Sequence, residues 1–95
     1  MFIVLLKFSS NKSQAGQFME AHNSWVQRGI DEGVFLLVGS IKPALGGAIL
    51  AHDSSLEALQ ERINTDPFIV EDIVNAEIID IAPNRVDDRL KFLLN

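Results

Sequence analysis

The chain has no cysteine, which excludes disulfides, a thiol nucleophile, thiolate metal sites and iron–sulfur clusters. It has two histidines, His22 and His52, on different predicted elements and without metal-ligand spacing, so no metal site is expected. Cations are scarce: 8 Lys and Arg stand against 13 Asp and Glu, for a net charge of −5. Such a chain repels phosphate backbones and anionic bilayers, which argues against nucleic acid or a membrane as partner. No run approaches the ~18 apolar residues of a membrane span. The apolar opening from Met1 to Phe8 lacks the basic leader and small-residue cleavage site of a secretory signal, so the expected location is the cytoplasm. Gly46-Gly47 has no following helix or lysine and is not a phosphate loop.

What is present is a folded chain. Its 95 residues are 47% hydrophobic, enough for one domain over residues 1–95. A chain this short buries a modest share of its surface and gains from a partner copy.

The organising stretch is Ser13 to Asp31, predicted as a long helix. Phe18, Trp25 and Val26, with Ala21 at the margin, recur at helical spacing and define a buried stripe. His22 lies in that stripe, four residues after Phe18 and three before Trp25, and therefore points at the interior. Asn11 or Ser13 is expected to cap this helix, and Gly33 to end it.

Around it the chain reads as strands and a second helix. Phe2 to Phe8 is the first strand, with Phe2, Val4, Leu6 and Phe8 on one face and Ile3 and Leu5 on the other. Val34 to Ile41 is the second, with Phe35, Leu37 and Ile41 sharing a face. Leu45 to Ala51 is the third and forms a hairpin with the second; Gly46-Gly47 marks a bulge or a close backbone approach. Ser54 and Glu57 form a capping box opening a helix whose buried residues are Leu56, Leu59 and Ile63. Asp66 caps a short turn with Pro67 in its first position. Ala76 to Ala82 is the fourth strand. Residues 83–95 form a tail whose Val86, Leu90, Phe92, Leu93 and Leu94 predict a short helix or a docked arm.

The order β-α-β-β-α-β is the split βαβ, or ferredoxin-like, arrangement: an α+β fold with a four-stranded antiparallel sheet. A sheet with one wet face alternates apolar and polar residues, but these strands are apolar on both sides. At ~25 cal/mol per Å2, an uncovered face of several hundred Å2 forgoes many kcal/mol. A second copy packed sheet to sheet removes that loss, so a homodimeric α/β barrel is expected, with the tail available for larger assembly.

Chemistry-bearing residues are few. Asp66, between the second helix and the fourth strand, is placed to reach His22 on the first helix. A carboxylate there fixes the imidazole tautomer and makes a general acid or base. The structural alternatives are a satisfied core histidine and a plain helix cap. Ser40 either donates to a ligand or is an ordinary turn serine. Arg28, His52 and Asp87-Asp88-Arg89 read as solvated, and Trp25 as core.

The chain resembles the YCII-related family over nearly its whole length. The resemblance rests on Ala21-His22, Gly33, Val38-Gly39-Ser40, Gly46-Gly47 and Asp66-Pro67-Phe68. It implies a dimeric α/β barrel with a histidine and aspartate active site matching His22 and Asp66. It also implies reactions such as dehydrochlorination of a chlorinated hydroxyhydroquinone, or isomerisation as in muconolactone isomerase-like proteins, which use no metal or organic cofactor. Ser40 stands where many members carry proline, and residues 84–95 match no family pattern.

The expectation is a cofactor-independent lyase or isomerase acting on a ring-sized molecule in a pocket near His22. His22 is the acid or base, Asp66 orients it, and Ser40, Gly46 and Gly47 position the substrate. The alternatives are a non-catalytic ligand-binding or assembly module of the same fold and, from sibling families, a cofactor-free monooxygenase.

Overall fold

The first strand, β1, spans Phe2–Phe8, with Phe2, Val4 and Leu6 buried and Ile3 and Leu5 half-buried on its other side. The structure, a computed structural model, describes residues 1–94, so Asn95 of the expected tail lies outside it. After β1 a 3-10 turn at Lys12–Gln14 leads into α1 at Ala15–Asp31. Then follow β2 at Phe35–Ile41, β3 at Gly46–Ala51, α2 at Leu56–Asn64, α3 at Pro67–Val70 and β4 at Val74–Asp80. The four strands make one antiparallel sheet in the order β2-β3-β1-β4. Trp25, Leu59, Ile63 and Phe68 from the helices share one core with Phe2, Val4, Leu6 and Ile49. The helices therefore cover a single sheet face, the α+β ferredoxin-like arrangement that the element order predicts.

Several local boundaries differ from expectation, each for a physical reason. The helix begins at Ala15, behind the 3-10 turn, and neither Asn11 nor Ser13 caps it; Gln14 is its N-cap and makes no side-chain bond there. Asn11 instead donates from Nδ2 to the Glu71 carbonyl, tying the helix entrance to the end of α3. Ala21 is exposed, and the stripe runs instead through Trp25 to Gly29, both buried. A methyl group on Gly29 would strike the Phe35 ring.

In β2 the register slips between Phe35 and Leu37. Leu36 is the extra residue of a bulge, so the two-residue period breaks there. Phe35 faces the core opposite Ala51, whereas Leu37, opposite Leu50, faces away and is 58% exposed. The second helix is capped by Ser55, whose hydroxyl accepts from the Ala58 amide, and not by Ser54. Its buried face is Leu59 and Ile63; Leu56 is exposed. Fully burying those two side chains contributes roughly 1.5–3 kcal/mol each. The fourth strand starts two residues early, because Val74 pairs with Phe8, and it ends at Asp80.

The tail does fold back. Asp88–Leu94 form 3-10 turns, Leu93 is buried, and the Phe92 ring meets His52 edge-on at 5.4 Å. His52 is thus half-buried rather than solvated. Asp87 and Arg89 pair on the surface; the Arg89 guanidinium, and then its amide, hold the Asp87 carboxyl below the usual carboxylate range. The sheet face away from the helices is apolar at Ile3, Leu5, Leu37, Leu50 and Ile79, with Leu37 and Ile79 exposed. Among the described residues no helix is long and apolar enough to cross a membrane.

Candidate active site

Asp66 is fully buried, the one buried charged residue of the described chain. It is held there by local chemistry. As N-cap of α3 it accepts the Phe68 amide on Oδ1 at 3.0 Å, while Pro67 occupies the first helical position, where an amide would lack a partner. The cap aims Oδ1 at α1, where it also meets His22 Nδ1 at 2.7 Å. The two residues lie 44 positions apart in the chain. A carboxylate accepts and does not donate, so this bond sets a ring hydrogen on Nδ1, and in the neutral ring the lone pair is then on Nε2. The second carboxylate oxygen, Oδ2, is buried without a hydrogen-bond partner among the described residues.

Aromatic rings fix the imidazole in its plane. Phe68 lies parallel to His22, with centroids 4.0 Å apart and 4° between planes. Trp25 stacks more loosely at 5.9 Å and 27°. The indole N–H donates to the Arg62 carbonyl and Thr65 Oγ1, both at 3.1 Å, so the end of α2 anchors the ring that flanks His22.

His22 lines a cavity of about 320 Å3 between α1 and the sheet. This is the lower end of the size range of small-molecule sites. Leu6, Phe8, Val26, Ile49, Phe68 and Val74 supply apolar wall. Ser40, Gly46 and Gly47 line the opposite side from β2 and β3, so the structure gathers all five expected site residues, four around the cavity and Asp66 directly behind His22. Ser40 pairs with Gly47 in the sheet. Gly46 adopts φ +133° where β3 passes the Leu6 carbonyl, an approach no side chain tolerates; this is the close backbone contact expected of the glycine pair.

Two cavity residues escaped sequence reading. Met19 and Asn23 also line it, and with His22 and Val26 they follow the i, i+3, i+4, i+7 spacing of a single helix face. That spacing was the available signal; the polarity of Asn23 concealed it. The stacking of Phe68 on His22 had no signal in spacing.

No family model matches the sequence, and no curated protein sequence does. Among solved structures the fold resembles that of a 5-chloro-2-hydroxyhydroquinone dehydrochlorinase from Burkholderia phenoliruptrix AC1100, determined in complex with 2,5-dihydroxybenzoquinone. The TM-score is 0.69 at 11% identity, covering 85% of this chain and 93% of that chain. At that identity the likeness carries the ferredoxin-like α+β fold and not a reaction.

Proposed function

We propose that the protein is a small-molecule enzyme of the YCII-related kind that moves a proton on a ring-sized substrate, as a lyase or isomerase. The observation that carries this reading is the buried Asp66 carboxylate bonded to His22 Nδ1, behind a histidine that faces a ring-sized cavity. Burying a carboxylate is costly and a plain helix cap does not require it; the bond to His22 gives the buried carboxylate a partner and orients the ring. Nε2 takes a proton from the substrate and Asp66 stabilises the imidazolium that forms. Ser40 and the backbone at Gly46 and Gly47 hold the ring.

For a chlorinated hydroxyhydroquinone the balance is simple. Nε2 removes a hydroxyl proton and returns it to the chlorine-bearing carbon, giving the keto tautomer. Loss of a second hydroxyl proton to Nε2 then forms the second C=O and expels chloride with the C–Cl electron pair, so the product is a hydroxybenzoquinone and the net loss is HCl. No electron acceptor enters, and the reading calls for no cofactor. It also includes a cytoplasmic homodimer joined through the outer sheet face, which is apolar at Ile3, Leu5, Leu37, Leu50 and Ile79.

The test is chloride release from a chlorinated hydroxyhydroquinone by the wild-type protein and by His22→Gln. General acid–base groups contribute typically ~10²–10⁴-fold, so His22→Gln is expected to lose at least about 100-fold with its circular dichroism unchanged. Equal rates in the two proteins would falsify the role of His22. Binding of the ring without turnover by the wild type would identify a ligand-binding module of the same fold.

A further inference from the structure

We propose that the cavity admits uncharged hydroxylated rings and rejects ring carboxylates of the same shape; this rests on the reading of the cavity as a substrate site. Its lining carries polar side chains only at His22, Asn23 and Ser40, and among the described residues that line it there is no Lys, Arg, Asp or Glu. An anion entering such a wall sheds water and meets no Lys or Arg, and any positive charge on His22 is already paired with Asp66. The charge that does lie close has the wrong sign for an anion. Asp66 sits directly behind His22, its Oδ1 2.7 Å from Nδ1. A carboxylate bound at Nε2 would face that buried carboxylate across a single imidazole. Lys12 stands over the Phe8 ring at 4.8 Å from its centroid, but it is exposed and lies outside the lining.

Size and shape fit one ring. An apolar cavity of about 150 Å3 is known to hold benzene, so about 320 Å3 accommodates a ring with several substituents. The polar groups sit on two opposite sides, His22 and Asn23 on α1 and Ser40 on β2. A hydroxylated ring can meet both sides without carrying charge.

The experiment is calorimetric binding at pH 7 of hydroquinone, 2,5-dihydroxybenzamide and 2,5-dihydroxybenzoate. The amide and the acid are near-isosteric and differ in charge. The expected result is that the amide binds at least tenfold more tightly than the carboxylate, and that Asp66→Asn narrows this ratio by removing the buried negative charge. Equal or tighter binding of the carboxylate overturns the selection by charge while leaving the cavity a ligand site. Binding of none of the three overturns both. Amide preference without chloride release in the turnover assay sustains the charge selection and removes only the proton-transfer reading.

Discussion

Phe68 holds both halves of the His22–Asp66 pair at once. Its ring lies flat on the imidazole at 4.0 Å, and its amide donates to the Asp66 oxygen that binds the same imidazole. The short α3 turn, begun by Asp66 and Pro67, is what brings ring and amide to these positions. A four-residue helix contributes little stability alone; here it holds the His22 ring.

The ring contribution is separable from that of the amide. Phe68→Leu keeps the backbone bond and removes the stacked face. It is expected to cost about 1–2 kcal/mol in urea unfolding, from lost burial and aromatic contact. Turnover should fall through kcat more than through KM, since the variant mispositions His22 without emptying the cavity. Unchanged kcat in a stable Phe68→Leu protein would show that stacking is packing alone.

The tautomer can be read directly. Long-range proton–nitrogen spectra of the wild type should show His22 with hydrogen on Nδ1 and a bare Nε2. In Asp66→Ala the acceptor is gone and the Nε2–H form should appear. Asp66→Ala also strips the cap from the Phe68 amide, and should cost about 1–3 kcal/mol of stability. Asp66→Asn, whose amide oxygen can still cap, should cost less. A neutral wild-type ring with its hydrogen on Nε2 would overturn the assignment of Nδ1 as donor to Asp66.

How much of this was legible follows residue by residue. The His22–Asp66 approach was readable because each half is locally determined: His22 by helical spacing among Phe18, Trp25 and Val26, and Asp66 by the capping preference of Asp before Pro67. The sheet order followed from element order. The phase of β2 was not readable, because a single inserted residue at Leu36 reverses every later side chain and alternation among Phe35, Leu36, Leu37 and Val38 is uniformly apolar. The shift from Ser54 to Ser55 has the same character, since two adjacent serines offer the same chemistry and tertiary packing chooses. Asn23 is not legible as a cavity residue because a polar side chain on a helix suits solvent as well as a cavity wall.

Two glycines with positive φ should behave differently. Gly46 has φ +133° and a side chain there would meet the Leu6 carbonyl; Gly33 has φ +77° with open space around it. Gly33→Ala pays only the left-handed backbone cost, about 1–2 kcal/mol. Gly46→Ala must in addition push β3 away from β1, and is expected to cost more than about 3 kcal/mol or to prevent folding. Equal melting temperatures for the two variants would show that the β1–β3 edge yields more easily than its geometry suggests.

The outer sheet face supplies the last prediction. Leu37 is 58% and Ile79 38% exposed on a surface that also includes Ile3, Leu5 and Leu50. The proposed sheet-to-sheet pair would cover this apolar surface and use the same patch twice, so one charge introduced per chain places two charges in the contact. Sedimentation of the wild type should therefore give twice the chain mass, and Leu37→Lys should shift it toward the single chain without loss of secondary structure. Because Leu37 faces away from the cavity, the variant should retain amide binding in the calorimetric assay. A wild type that sediments at the single-chain mass across micromolar concentrations would leave this face without a partner copy. A Leu37→Lys protein that stays paired would place the contact elsewhere, with the exposed Leu90, Phe92 and Leu94 of the docked tail as the next surface to alter.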